Sequence, residues 1–191
     1  PTPRGGATAQ VINGVIYLIG GMNDQGASLN VVEVYNPATN TWQTAPSLTY
    51  VRDNPGSAVL NRKIYVFGGR HREANGTTIQ GAMKTVEMFD PATSTWTEMT
   101  PMPTGRRAMS VGIIGGKAQV AGGELNGNTT SGVFEQNEEY DPATNTWRPL
   151  TNVPTPKHGA AAATINDTLY IMGGGIVSGS SYTSSMEAMK Y

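Results

Sequence analysis

Cysteine is absent from these 191 residues, histidine occurs only twice, and 14 % of the side chains are charged. Without cysteine there is no disulfide, no thiolate metal site and no cysteine nucleophile. Two histidines leave little room for a histidine-rich metal centre, and the sequence implies no cofactor. Neither sign of charge dominates, since 13 Lys and Arg against 14 Asp and Glu leave a net −1. Nucleic acid and anionic membrane surfaces call for a basic surface or tail, so neither is an expected partner. Apolar runs are short, and none approaches the roughly 18 residues that cross a bilayer as a helix. The chain opens on Pro1 with no signal-like segment, which reads as a processed or excised N-terminus.

What the chain has in quantity is glycine, 24 residues, with 12 prolines. Four Gly-Gly doublets, Gly20-Gly21, Gly68-Gly69, Gly122-Gly123 and Gly173-Gly174, recur at spacings of 48, 54 and 51 residues. After three of them comes an aromatic residue, a Pro-containing turn and a tryptophan. The three copies begin at Tyr35, Phe89 and Tyr140 and end at Trp42, Trp96 and Trp147, with a spacing of seven each time. Every tryptophan of the chain has this one role. Fixed periods of this length mark repeat architectures.

Within each unit the pattern is that of strands. The runs Val15–Ile19, Ile64–Phe67 and Leu169–Met172 are apolar on both alternating faces, as in a strand covered from both sides. Short turns precede them: Asn13-Gly14, Asn61-Arg62-Lys63, Gly115-Gly116-Lys117 and Asn166-Asp167. A polar loop of variable length follows each doublet, then a third strand, the Asn/Asp-Pro turn and a fourth strand bearing the tryptophan. No segment holds a 3.6-residue apolar period. Four short antiparallel strands per unit of about 50 residues predict the blades of an all-β propeller. Trp and Tyr are expected to fill the wedge between blades.

The doublet, the Tyr or Phe backed by Asp/Asn-Pro, and the Trp seven residues on resemble the Kelch repeat. The resemblance spans nearly the whole chain and implies a β-propeller with repeats at about 3–48, 49–102, 103–153 and a truncated 154–191. Two positions depart from the pattern. Gln119 replaces the strand aromatic in the third unit, where looser packing is expected, and the fourth unit stops at Met186–Tyr191, before its Pro turn. Because a propeller must close, three arrangements are open: part of a larger propeller, a ring completed by self-association, or an open or strained four-blade structure.

With strands a to d running outward, the d-to-a connections and b-to-c loops share one face, and the short invariant turns share the other. Variable loops on a rigid scaffold commonly carry function. Each d-to-a connection brings a cation: Arg4, Arg52, Arg106 with Arg107, and Lys157 beside His158. They are expected to crowd the channel mouth, where guanidinium forks suit a carboxylate, phosphate or acidic peptide. The alternative is that they hydrogen-bond loop carbonyls and stitch blades together. Arg70, His71 and Arg72 add basic character in the second b-to-c loop. Asp24, Glu73 and Glu124 also lie in b-to-c loops, and paired acids could support glycosidase-like chemistry. Glu33 and Glu87 recur with the repeat and read as structural. Asn75, Asn128 and Asn166 begin glycosylation acceptor tripeptides.

The leading expectation is a non-catalytic module binding a protein or acidic ligand through this face. Kelch resemblance implies protein–protein interaction. It also admits a sugar-directed enzyme such as a sialic-acid mutarotase, whose Arg and carboxylate groups this chain has. The copper radical oxidase version would require a Cys-Tyr crosslink that a cysteine-free chain cannot form. A structural role in a cell-surface or filament assembly is the third reading. Sparse lysine and the Pro-Ala-Thr-Asn-Thr-Trp wording resemble bacterial secreted Kelch proteins, which leans the expectation towards an extracellular or cell-surface location.

Overall fold

The computed structural model describes residues 1–125 and 131–190. These residues form seventeen strands and no helix, so no helix is long and apolar enough to cross a membrane. The first sheet holds β1 (Thr8–Ile12), β2 (Val15–Ile19), β3 (Val32–Asn36) and β4 (Thr41–Ala45). The second holds β5 (Gly56–Leu60), β6 (Lys63–Phe67), β9 (Val86–Asp90) and β10 (Thr95–Met99), with the hairpin β7 (His71–Arg72) and β8 (Thr78–Gln80) inserted in its b-to-c loop. The third is β11 (Ser110–Ile114), β12 (Lys117–Ala121), β13 (Asn137–Asp141) and β14 (Thr146–Pro149). The fourth has three strands, β15 (Ala161–Ile165), β16 (Thr168–Met172) and β17 (Met186–Lys190). All neighbours are antiparallel and follow chain order outward from a first inner strand, with β7 and β8 set aside between β6 and β9. The molecule is a β-propeller arrangement of four blades, the last incomplete.

Local chemistry explains the repetition. At the a-to-b turn, Asn13 and Gly14 both adopt positive φ, +53° and +77°, the geometry a two-residue hairpin needs. At the Gly-Gly doublet the second amide donates to the carbonyl of the cation-bearing residue in the next d-to-a connection: Gly21 to Arg52, Gly69 to Arg106, Gly123 to Lys157. The chain approaches so closely that a Cβ on Gly122 would lie 2.5 Å from the Lys157 carbonyl oxygen. Only glycine fits there, which is why the doublet recurs.

The inner strands β1, β5, β11 and β15 lie side by side in that order, with no comparable packing between β1 and β15. Blade junctions hold the core. Ile12, Ile19 and Val32 of the first blade meet Ile64, Val66 and Phe89 of the second. Tyr65, Phe67 and Met88 of the second meet Val120 and Tyr140 of the third, with Trp147 packed on this cluster. Two of the three tryptophans serve the junction with the preceding blade: the Trp96 indole donates to the Pro46 carbonyl at 2.8 Å, and Trp147 to that of Thr100 at 2.9 Å. Trp42 differs from the expectation of a filled wedge and stays 41 % exposed. Among the described residues no other blade packs on this indole, and Tyr35 and Trp42 stack on each other with ring centres 5.0 Å apart.

The third junction is built from Ile114, Ala121, Val153, Leu169, Ile171 and Met189 without an aromatic pair. Gln119 is fully buried there, and neither of its amide atoms has a hydrogen-bond partner among the described residues.

Candidate functional site

The d-to-a connections and b-to-c loops do share one face, joined by short backbone bridges. Gly5 pairs with Met22, Asp53 with Arg70, Arg107 with Glu124 and His158 with Gly175. Each pair is 17 residues apart, so the same two repeat positions always meet at the mouth of the arc.

The repeated cations one position earlier turn away from the opening. Arg52 is fully buried, donating to the Gly68 carbonyl at 2.7 Å, the Thr85 carbonyl at 3.1 Å and Glu87 Oε2 at 2.6 Å. Arg106 repeats the arrangement on Gly122, Gln136 and Glu138, and Arg4 does so on Gly20, Val31 and Glu33. Lys157 makes a reduced version, reaching Ser185 Oγ at 2.7 Å and Glu187 at 3.4 Å. Burial pulls the Arg52 and Arg106 guanidiniums below their ordinary value, and Glu87 and Glu138 oppose it. Because the Arg52 backbone is held by Gly21 and Leu29 of the first blade while its side chain serves the second, the residue ties blades together. The structure thus places Arg4, Arg52, Arg106 and Lys157 inside the sheets, where the sequence expectation of a basic ring had them lining the mouth.

What faces the mouth is the next layer. Asp53 is fully buried and accepts from Arg70 Nη2 at 2.8 Å, from Ser28 Oγ at 2.6 Å and from Asn54 Nδ2 at 2.7 Å. Glu124 accepts from Arg107 at 3.0 Å and from Ser178 Oγ at 2.7 Å, and His158 Nδ1 lies 3.5 Å away. Burial lowers the Arg107 guanidinium; Glu124 opposes this, and the nearby Arg70 and Arg72 add to it. Arg72, on β7, donates to the Met22 sulfur at 3.7 Å and has no carboxylate partner among the described residues. Three guanidiniums therefore share two carboxylates, leaving one surplus positive charge at Arg72.

The remaining expected residues are scattered. His71 faces Glu73 at 3.4 Å, away from the cluster. Asp24 and Glu73 are exposed, whereas Glu124 is buried, so the three acids occupy three different environments. Asn75 is exposed at the β7–β8 tip, Asn166 adopts φ +48° in the β15–β16 turn, and Asn128 lies outside the described residues. Sequence reasoning missed Asp53 as the partner of Arg70. The constant 17-residue spacing, with acid and base exchanged between the second and third units, was the signal that could have found it.

Comparison with known proteins agrees with this architecture. The profile of the KLHDC2/KLHL20/DRC7 Kelch-repeats domain matches residues 1–184. Kelch-like protein terF of Aspergillus terreus is 34 % identical over 186 residues, which is 94 % of this chain and 39 % of that protein. Human Kelch-like protein 23 is 32 % identical over 160 residues, 83 % of this chain and 27 % of its own length. The chain thus spans well under half of these relatives. Among solved structures, that of YjhT superposes with a TM-score of 0.74 at 26 % identity, covering 90 % of this chain and 59 % of the other. From the repeat, the blades and these likenesses together, the chain belongs to the Kelch-repeat family.

Proposed function

We propose that this propeller region is a non-catalytic interaction module whose loop face takes an acidic segment of a protein partner. Membership of the Kelch-repeat family and the Kelch-like names of its relatives support a protein-binding role. The observation that carries the acidic preference is Arg72, a half-buried guanidinium near Arg107 with no carboxylate of its own among the described residues. A ligand carboxylate there would gain a charge-assisted hydrogen bond without displacing an internal carboxylate. Arg52 and Arg106 are unsuitable probes, since reversing them would break the sheets.

The test is a titration of an acidic decapeptide of alternating Glu and Gly, read by fluorescence anisotropy. Binding should weaken with added salt, and Arg72→Glu should weaken it by about ten- to a hundredfold, the equivalent of one hydrogen bond to a charged group. Salt-independent binding, or equal affinity in Arg72→Glu, overturns the proposal. The same titration with an acidic monosaccharide tests the sugar-directed reading: a saturable response there, with none to the peptide, would favour it.

A further inference from the structure

Asparagine is followed by glycine at Asn13-Gly14, Asn75-Gly76 and Asn126-Gly127, the last outside the described residues. Such pairs are chemically labile, because a glycine carries no Cβ to hinder the approach of its amide nitrogen to the asparagine side-chain carbonyl. The two described pairs are held very differently. Asn13 sits in the tight turn between β1 and β2 at φ +53°, beside the Ile12–Val15 pair, and its Oδ1 accepts from Arg62 Nη2 at 3.1 Å. Asn75 sits at the tip of β7 and β8, strands of two and three residues with a register shift between His71 and Arg72.

Every residue from Glu73 to Gln80 is exposed. Two backbone bonds close the tip, from the Glu73 amide to the Thr77 carbonyl at 2.9 Å and from the Gly76 amide to the Glu73 carbonyl at 3.0 Å. A two-stranded hairpin whose tip buries no side chain opens readily, and opening frees the Gly76 nitrogen. The Thr77 amide meanwhile donates to Asn75 Oδ1 at 2.9 Å, which draws charge from Cγ, the atom to be attacked.

A second observation concerns what lies beside that tip. A Cβ built on Gly76 would stand 3.6 Å from Arg72 Nη2, and one built on Gly26 would stand 3.9 Å from it. The guanidinium is thus flanked by two glycine turns, and the residue joined to one of them is the labile asparagine. A negative charge at residue 75 would arise within reach of a cation that has no carboxylate among the described residues.

We propose that Asn75 is a site of spontaneous deamidation whose product supplies Arg72 with a counter-charge from its own hairpin. The Gly76 nitrogen bonds to Asn75 Cγ, the Cγ–Nδ2 bond breaks, and Nδ2 leaves as ammonia with the proton of the Gly76 amide. One water then opens the five-membered imide at either carbonyl, giving aspartate or isoaspartate, with no change of oxidation state. Both products carry a carboxylate next to Gly76. The consequence rests on the acidic-segment reading above: the converted hairpin competes with an acidic partner for Arg72, so the loop face loses affinity as the chain ages.

The test takes the unaltered chain, made in bacteria so that no glycan caps Asn75, through storage in warm, mildly alkaline buffer. Tandem mass spectrometry of the tryptic peptide Glu73–Lys84 should show aspartyl and isoaspartyl forms accumulating, in step with a free peptide of that sequence, while Asn13 in the same sample stays unconverted. Asn75→Gln, which cannot close the five-membered ring, should not change. Asn75→Asp should shift the Arg72 Nε–H resonance and weaken binding of the acidic decapeptide by about three- to tenfold, and Asn75→Gln should do neither. An Asn75 intact after the free peptide has converted, an Asn13 converting as fast, an Arg72 resonance unmoved by Asn75→Asp, or equal affinity of Asn75→Asp for a peptide that the unaltered chain binds each overturns the proposal. If the unaltered chain binds no acidic peptide, the acidic-segment reading fails by itself, because the mass map and the resonance need no ligand.

Discussion

Arg52 is the residue on which the stitching of blades can be measured. Its guanidinium bonds to two carbonyls, to the Thr85 hydroxyl and to Glu87, with both charged side chains fully buried. Arg52→Ala removes all four bonds and leaves the Glu87 carboxylate with only the Thr49 amide. Breaking one side of a buried pair costs about 3–5 kcal/mol, a large share of the roughly 5–15 kcal/mol that holds a domain folded. At about 2–4 °C per kcal/mol for a chain of this size, the melting temperature should fall by about 6–20 °C. Removing both partners, as in Arg52→Met with Glu87→Met, should cost far less than the two single changes together, because no uncompensated charge is left. Urea unfolding followed by circular dichroism of the four variants gives the coupling directly. If Arg52→Ala costs under about 1 kcal/mol, or the double variant costs the sum of the singles, the pair is no more than a surface contact and the reasoning fails.

The same repeat position should behave differently according to what covers it. Trp147→Ala removes a ring packed on Phe67 and Tyr140 and should cost about 3 kcal/mol, whereas Trp42→Ala, at a residue 41 % exposed, should cost under about 1 kcal/mol; equal losses by urea unfolding would contradict the junction order. Lys157→Arg restores the fork of the other three units and gives the buried Glu187 oxygens, neither of which has a hydrogen-bond partner among the described residues, a donor pair, so thermal denaturation should show a gain of about 1 kcal/mol. For acid, Glu33 and Glu139 set the direction. Burial pushes Glu33 up but is outweighed by the Thr2 amide and Arg4, and the Arg148 hydrogen bond lowers Glu139, so both stay below the ordinary 4.5. Their contribution is complete above that value and lost as pH falls through the lowered folded values, so melting temperature should be level from pH 6 to 5 and decline below about 4.5; a maximum at lower pH would refute it.

The strands, the turns and the order of strands within a blade were legible because each depends on local chemistry repeated four times. Asn13-Gly14 and the Gly-Gly doublets need positive φ, and the alternating apolar runs need cover on both faces. For the repeated arginines the sequence left two readings open, a basic mouth and a stitch between blades, because whether Arg52 points to the mouth or into its own sheet depends on what lies beside it in space. Glu87 is 35 residues away in the chain, and its carboxylate decides the matter. A clue was nonetheless present, since the acid two places before each third-strand aromatic recurs wherever the cation does: Glu33 with Arg4, Glu87 with Arg52, Glu138 with Arg106. A cation and an acid that keep step through a repeat are partners of each other before they are partners of a ligand.

That rule separates scaffold from site on this face. Arg4, Arg52 and Arg106 each have a repeating acid, and all three are buried against it. Asp53–Arg70 and Arg107–Glu124 occupy one repeat position with the charges exchanged, so a general need for a salt link is met with unit-specific sign. Arg72 belongs to neither class. It lies on the β7–β8 hairpin, which among the described residues is the one b-to-c loop long enough to form two strands, and it brings a charge for which the described residues supply no carboxylate. In this scaffold the charges that keep step with the repeat are paired with each other inside each unit. Chemistry left over for a partner is therefore to be sought at positions that break the repeat, and on this face that position is the inserted hairpin.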